Sequence, residues 1–300
     1  MTAAVPVAAS AAGAPQQTAP AHAPPVRLVT DRPPLDSAQQ RLQWLCEQIT
    51  RNRFLPLPPA ELLFVGDGDF RAIGAEFLRY FVTDGGLRPN EEVLEIGCGI
   101  GRMAVPLTQY LSETGAYQGI DVVQSGIDWC RQNVTSRYPS FQFHHLDLQH
   151  PIYNPGGSMA ADKVQLPFAD KSFDFILLTS VVTHLSTMET RAYAGEIARL
   201  LRPRGRCFLS LFLIDDEARH QLRQGQPRLP FDVGAEGPEY QAHPDHPGGA
   251  VAYDETFFLR LFAEHGLQPN QPVQHGHWSG RAASNYQDIC VLGKVDAGPL

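Results

Sequence analysis

Dense basic runs, paired cysteines and long apolar stretches are all missing from this chain, and each absence removes a class of function. The 24 Lys and Arg residues stand against 32 Asp and Glu, a net charge of -8, and nowhere form a run that would track a phosphate backbone. Nucleic acid is therefore not expected as a partner. The five cysteines, Cys46, Cys98, Cys130, Cys207 and Cys290, are odd in number, widely spread and without a C-x-x-C pair. That pattern argues against a disulfide framework and points to free thiols in a reducing compartment, hence a cytoplasmic location. No apolar run reaches spanning length, so no membrane partner is expected. The N-terminus lacks the pattern of a secretory signal, because its first basic residue is Arg27 and prolines interrupt any apolar core. There is no internal repeat.

What is present is enough apolar material for a core, 43% of 300 residues, in one large or two ordinary domains. Residues 1–34 hold seven prolines among alanines and read as a disordered tail. From 35 to 85 the chain reads as a helical extension or lid. Leu42, Leu45, Cys46 and Ile49 fall on one helical face that Asp36 or Ser37 would cap, and Phe64 to Phe70 make a glycine-acid turn before a second helix with Phe77, Leu78 and Phe81. Two readings stand for that turn: a helix N-terminus with Asp69 at its positive end, or a cofactor cover carried by Phe70.

The most informative stretch is Glu92-Val93-Leu94-Glu95-Ile96-Gly97-Cys98-Gly99-Ile100-Gly101-Arg102. Val93, Leu94 and Ile96 suit a strand buried on both faces of a parallel sheet, and the alternating glycines let the chain turn sharply against a ligand. Side chains at Gly97 or Gly99 would fill ligand space. The apolar residues from Met103 to Leu111 recur at helical spacing, so the first amides of that helix should face the cleft. A dinucleotide fingerprint, G-x-G-x-x-G, would put its third glycine at Arg102, whereas the spacing here is G-x-G-x-G. Glu95, just before the first glycine, would repel a pyrophosphate and attract a sulfonium or ammonium group. Acid and spacing together favour S-adenosylmethionine. Asp121, twenty residues beyond Gly101 at the next strand tip, is placed to accept two ribose hydroxyls.

These residues resemble motif I of the class I S-adenosylmethionine-dependent methyltransferases, and the similarity continues in order for about two hundred residues. Gly119-Ile120-Asp121-Val122 looks like the end of the second strand with its ribose-binding acid. Phe141 to Leu148 is similar to the third strand, with Asp147 beside the adenine. Leu166 to Ser180 resembles the loop and fourth strand that close the site, and Arg199 to Arg206 resembles the turn into strand five, with Arg204 in place of the usual glycine. The resemblance implies a Rossmann-like α/β fold: a seven-stranded, mostly parallel sheet with helices on both faces over 86–296, ending in an antiparallel hairpin expected at about 272–276 and 287–295. It implies that Glu95, Gly97, Cys98, Gly99, Gly101, Asp121, Val122, Asp147, Leu148 and Thr179 hold the cofactor, Cys98, Val122, Leu148 and Thr179 through their backbone. Asp147 has a second reading as a loop cap.

For the acceptor, the proline-rich stretch 213–253 reads as an irregular covering insertion. His184, just past strand four, is the candidate base, with a structural histidine as the other reading. His275, His277 and Trp278 with Asp254 or His265 offer too few ligands for a metal, and none is expected. Arg281 would either bind a substrate anion or lie on a solvated loop. The expected activity is methyl transfer to O or N of a small molecule in specialised or cell-surface metabolism. The alternatives are a repurposed, non-catalytic fold or an NAD(P)-dependent oxidoreductase.

Overall fold

A computed structural model describes residues 37–295 apart from 65, 67, 225–226, 235–236, 244 and 246–247. The proposed tail, 1–34, lies outside the described residues. The chain opens with helix α1 (Ala38–Arg51), started by a capping box in which Ser37 and Gln40 satisfy each other's free groups. Helix α2 (Phe70–Thr83) is capped by Asp69, whose carboxylate accepts from Ala72 N at 2.7 Å.

Five parallel strands follow, β1 (Glu92–Ile96), β2 (Ala116–Asp121), β3 (Phe141–His145), β4 (Phe173–Thr179) and β5 (Leu201–Leu211). Between them lie α3 (Ala104–Leu107), α4 (Gln124–Cys130) and α5 (Thr187–Leu200). After β5 come β6 (Leu213–Ile214), α6 (Asp216–Gln224), β7 (Glu239–Gln241), β8 (Val251–Asp254), α7 (Glu255–Ala263), β9 (Leu267–Pro269) and β10 (Asp288–Lys294). The main sheet has the order β3-β2-β1-β4-β5-β10-β9, with β10 antiparallel to both neighbours. This is the expected seven-stranded, mostly parallel sheet. Crossovers that return through helices require parallel pairing, and the β1–β4 contact creates the point where strand order reverses.

Alternation along the strands gives each face its own core. Leu94, Ile176 and Leu209 pack under α5 and α7, while Val93, Phe175 and Phe208 pack under α2. Phe81 of α2 meets the Phe208 ring edge-on at 4.9 Å and Phe175 at 6.2 Å. That seam fixes α2 over the sheet.

Three expectations need revision. The first arm of the terminal hairpin is β9 at Leu267–Pro269; within 272–276 only an isolated bridge, Gln274 to Ile289, forms. Pro269 and Pro272 lack the N–H that would extend the ladder. The helix after the glycines is one turn long, Ala104–Leu107, and continues to Leu111 as turns. Within 213–253 the described residues hold regular structure: β6, β8 and β7 make a second sheet over a core of Phe212, Phe231, Tyr240 and Trp278. Its described prolines fall in the connections. At the entrance to β5 the pairing jumps from Phe173↔Leu201 to Phe175↔Arg206, and in the looped-out residues Arg204 takes φ +63°, the left-handed conformation for which a glycine is suited. Among the described residues no helix is long and apolar enough to cross a membrane.

Candidate functional site

Gly97, Gly99 and Gly101 hold φ of +76°, +55° and +80°, so the turn after β1 depends on their lack of Cβ. At Gly97 the obstacle is protein, since a Cβ would lie 2.3 Å from Val181 Cγ2. Gly97 N and Cys98 N both donate to Ile120 O, at 2.8 and 3.0 Å. Gly99 N donates to Asp121 Oδ2 at 2.7 Å and Val123 N to Asp121 Oδ1 at 2.8 Å. These bonds lock the glycine turn of β1 to the tip of β2. They also use the Cys98 amide, which is thus not free for a ligand; the Cys98 thiol is buried, with its pKa pushed well up by desolvation.

Above this turn opens a cavity of about 700 Å³. Of the residues expected from sequence, Glu95, Gly97, Cys98, Gly99, Asp121, Val122, Thr179 and His184 line it. Phe70, Gly101, Asp147 and Leu148 do not. Phe70 is buried at the start of α2, and Phe64 and Phe77 supply the aromatic wall on that side. Gly101 faces Cys130, whose sulfur would be 3.0 Å from an added Cβ. Asp147 caps the following loop, accepting from Ser158 N and Asn154 Nδ2 at 3.2 Å each and from Ser158 Oγ. Its pKa is lowered, first by Ser158 and then by Asn154. Leu148 is a core side chain whose amide and carbonyl are taken by Leu146 O and Asn154 Nδ2.

Two carboxyls in the cavity differ in environment. Glu95 is 1% exposed, and burial drives its pKa up to about 8, against the pull of a hydrogen bond from Tyr117 OH to its Oε2 and with a further push from Asp121. It therefore carries a proton at neutral pH, and a cation placed beside it would favour the ionised form. Asp121 is also raised by desolvation, opposed by the amides of Val123 and Gly99.

His184 ends a short 3-10 turn, Val182–His184, beyond β4. Its Nδ1 lies 2.8 Å from Gly248 O, an atom that can only accept, so Nδ1 carries the proton and Nε2 presents a lone pair. Tyr153 OH lies 3.4 Å from that Nε2. His150 accepts from the Ile152 and Tyr153 amides through Nδ1 and directs Nε2 to His184 O at 3.4 Å. Burial lowers the pKa of both histidines, so both are neutral at pH 7. Ser180, at the end of β4, takes φ +60° and is held there by Ser210, whose backbone oxygen and Oγ accept from Ser180 N at 3.1 and 3.0 Å. Gln287 Nε2 donates to Ser180 Oγ and Gln287 Oε1 accepts from Ser210 Oγ, each at 2.7 Å, tying the loop before β10 into the same wall.

His150, Tyr153, Glu76, Tyr80 and Gln287 line the cavity without having been singled out from sequence. The available signal was a histidine and a tyrosine three apart beyond the third strand. Residues 213–253 contribute none of the described cavity wall; they back it through Gly248 behind His184 and through the Tyr253 hydroxyl, which donates to Leu185 O at 2.6 Å.

Among the described residues Asp215, Glu255 and His275 bring three donor atoms within 4.8 Å of one another. His275 Nε2 pairs with Glu255 at 2.7 Å and lies 3.5 Å from Asp215, and the Glu255 contact raises its pKa. Arg281 donates to Asp215, which occupies the group considered for a substrate anion. His277 and Asp254 stay outside the cluster, and Trp278 is buried with its indole N–H on Asp288.

Comparison with known proteins agrees with this architecture. The family described as "Methyltransferase domain" matches residues 94–209. The phthiotriol/phenolphthiotriol dimycocerosates methyltransferase of Mycobacterium tuberculosis is 32% identical over 116 residues, 39% of this chain and 36% of that protein. The tRNA N(3)-cytidine methyltransferase of Gallus gallus is 23% identical over 147 residues, 46% of this chain and 34% of that protein. The chain thus spans about half or less of the length of such curated relatives. The crystal structure of the PH0226 protein from Pyrococcus horikoshii OT3 shares the fold at a TM-score of 0.53 and 16% identity, over 78% of this chain and 95% of that one.

Proposed function

We propose that the chain, whose residues 94–209 match the methyltransferase domain family, is a class I S-adenosylmethionine-dependent methyltransferase that moves the sulfonium methyl to an oxygen or nitrogen of a small-molecule acceptor. The observation carrying this reading is a single cavity that holds both a glycine turn locked to Asp121 and a neutral histidine with its Nε2 lone pair exposed.

The residues suit an adenosyl ligand. Three positive-φ glycines keep the turn free of side chains, and Asp121, with each oxygen taken by one amide, retains lone pairs for ribose hydroxyls. Glu95, on the same wall, is an acid that could ionise to match a cationic group of the ligand. When bound, the cofactor supplies an activated methyl carbon and leaves as S-adenosylhomocysteine. The protein's task is to orient the nucleophile and exclude water. For a hydroxyl acceptor, His184 Nε2 takes the proton as the O–C bond forms, and Gly248 O stabilises the resulting imidazolium through Nδ1–H. Tyr153 holds the hydroxyl end of the acceptor close to Nε2.

A small molecule is preferred to nucleic acid because the net charge is -8 and the described cavity wall carries three carboxyl groups, Glu76, Asp121 and the protonated Glu95, and one arginine, Arg102. The five cysteines, all free, fit a reducing cytoplasm. Within this reading 86–296 is the catalytic domain and 213–253 braces His184 from behind. The test is incubation of the full chain with S-adenosylmethionine and panels of phenols, amines, sugars and a transfer RNA, with S-adenosylhomocysteine and methylated product followed by mass spectrometry. Product with a small molecule is expected; product with RNA alone, or cofactor binding without turnover on any acceptor, would overturn the assignment.

A further inference from the structure

Helix α2 turns a stripe of Ile73, Glu76, Phe77 and Tyr80 toward the cavity. The apolar members follow from helical spacing, but Glu76 breaks the pattern. Glu76 is exposed, so its carboxylate is open to water as well as to whatever enters the cavity. Its partner among the described residues is the Tyr80 hydroxyl, which donates to Oε1 at 2.9 Å. Burial, then the Glu76 contact, pushes the Tyr80 hydroxyl up to about 12, so it remains a donor to the Glu76 carboxylate. Arg79 stands over the Tyr80 ring at 4.3 Å from the centroid and is engaged with the ring face. Phe77 meets Tyr80 edge-on at 5.8 Å, and Tyr286, 43% exposed, contributes a further ring to the cavity wall.

The other two acids of the wall are already committed: Glu95 is protonated and bound by Tyr117, and Asp121 is fixed by two amides at the glycine turn. The wall's arginine, Arg102, donates to Gly66 O at 2.8 Å. Glu76 thus sets a carboxylate beside the Tyr80 and Phe77 rings on the cavity wall, the combination that binds an ammonium ion and rejects a carboxylate.

We propose that Glu76, with Tyr80 and Phe77, is the specificity element for an acceptor carrying a protonated amine on an aromatic or apolar frame. The proposal rests on the methyltransferase reading above and names the acceptor class for that site. The amine is held on Glu76 while the hydroxyl to be methylated faces His184.

Three phenols that differ in one substituent test it: tyramine, p-cresol and 4-hydroxyphenylacetate. Each is titrated calorimetrically into the full chain saturated with S-adenosylhomocysteine, in the native protein and in Glu76→Gln. Tyramine should bind at least about tenfold more tightly than 4-hydroxyphenylacetate, with p-cresol between them, and Glu76→Gln should remove most of that difference while sparing p-cresol. Equal binding of the three, discrimination that survives Glu76→Gln, or no binding of any of them would overturn the proposal. The cofactor arm is read first. Failure of S-adenosylhomocysteine to bind the native protein defeats the methyltransferase reading itself; normal binding to the native protein with loss in Glu76→Gln assigns Glu76 to the cofactor's own ammonium and overturns the proposal alone.

Discussion

In the proposed reaction Asp121 and His184 are the two side chains on which the chemistry turns, and each has a distinct signature. Asp121→Ala removes both the ribose acceptor and the anchor of the Gly99 amide, so the affinity for S-adenosylhomocysteine should fall by about 1–3 kcal/mol in a calorimetric titration. Unchanged affinity would take Asp121 out of the site. His184→Ala should lower turnover roughly a hundredfold while cofactor affinity is kept. Because burial lowers its pKa, the rate of the native enzyme should hold its plateau as pH falls through neutrality and drop only below the ordinary histidine value of 6.5. A midpoint above that value would contradict a buried neutral base. Asp121 was legible because one helix and one strand fix its distance from Gly101. Asp147 was not, because its spacing is equally that of an adenine ligand, and only the folded loop reveals Ser158 and Asn154 returning to its carboxylate. His150 and Tyr153 escaped for the same reason: a loop brings them beside His184, and no periodicity in sequence encodes that.

The elements that carry these residues behave as two locked units. The β1 turn is the less tolerant: Gly97→Ala forces a side chain into φ +76° and within 2.3 Å of Val181, so it should destabilise the fold by about 1–3 kcal/mol and abolish cofactor binding. Denaturant unfolding together with ligand titration checks both parts; a stable, binding variant would show that the turn can relax. Helix α2 is held by Phe81, and Phe81→Ala should cost about 3–5 kcal/mol while loosening the wall that bears Glu76. The alternation of strands and helices was readable because a buried parallel sheet demands continuous apolar runs. The second sheet was not, since β6 is two residues long and β7 three, too short for a period to register, and its prolines mark connections as readily as irregular chain. The hairpin's first arm was misplaced for the same reason, β9 being three residues that end in Pro269.

At the scale of the whole molecule, a buried acid couples stability to pH. Glu95 binds its proton in the fold up to about pH 8 but releases it from 4.5 upward when unfolded, so the folded state holds more protons between those values and its contribution to stability is lost as pH rises through that window. Urea unfolding of the ligand-free protein should therefore show a decline in stability toward pH 8 that Glu95→Gln flattens. A cationic ligand beside Glu95 would release the same proton, joining binding to pH. The net charge of -8 and the acidic cavity fit a neutral or cationic small molecule, and the sheet order places the cavity at the β1–β4 reversal where such folds bind ligands. The central claim, that this cavity takes an S-adenosyl ligand, is tested most directly by thermal unfolding of the full chain with S-adenosylhomocysteine, NAD or NADP. Ligand at a hundred times its dissociation constant adds about 2.7 kcal/mol, and the account predicts an upward shift with S-adenosylhomocysteine alone. No shift, or a shift with a dinucleotide only, would contradict it.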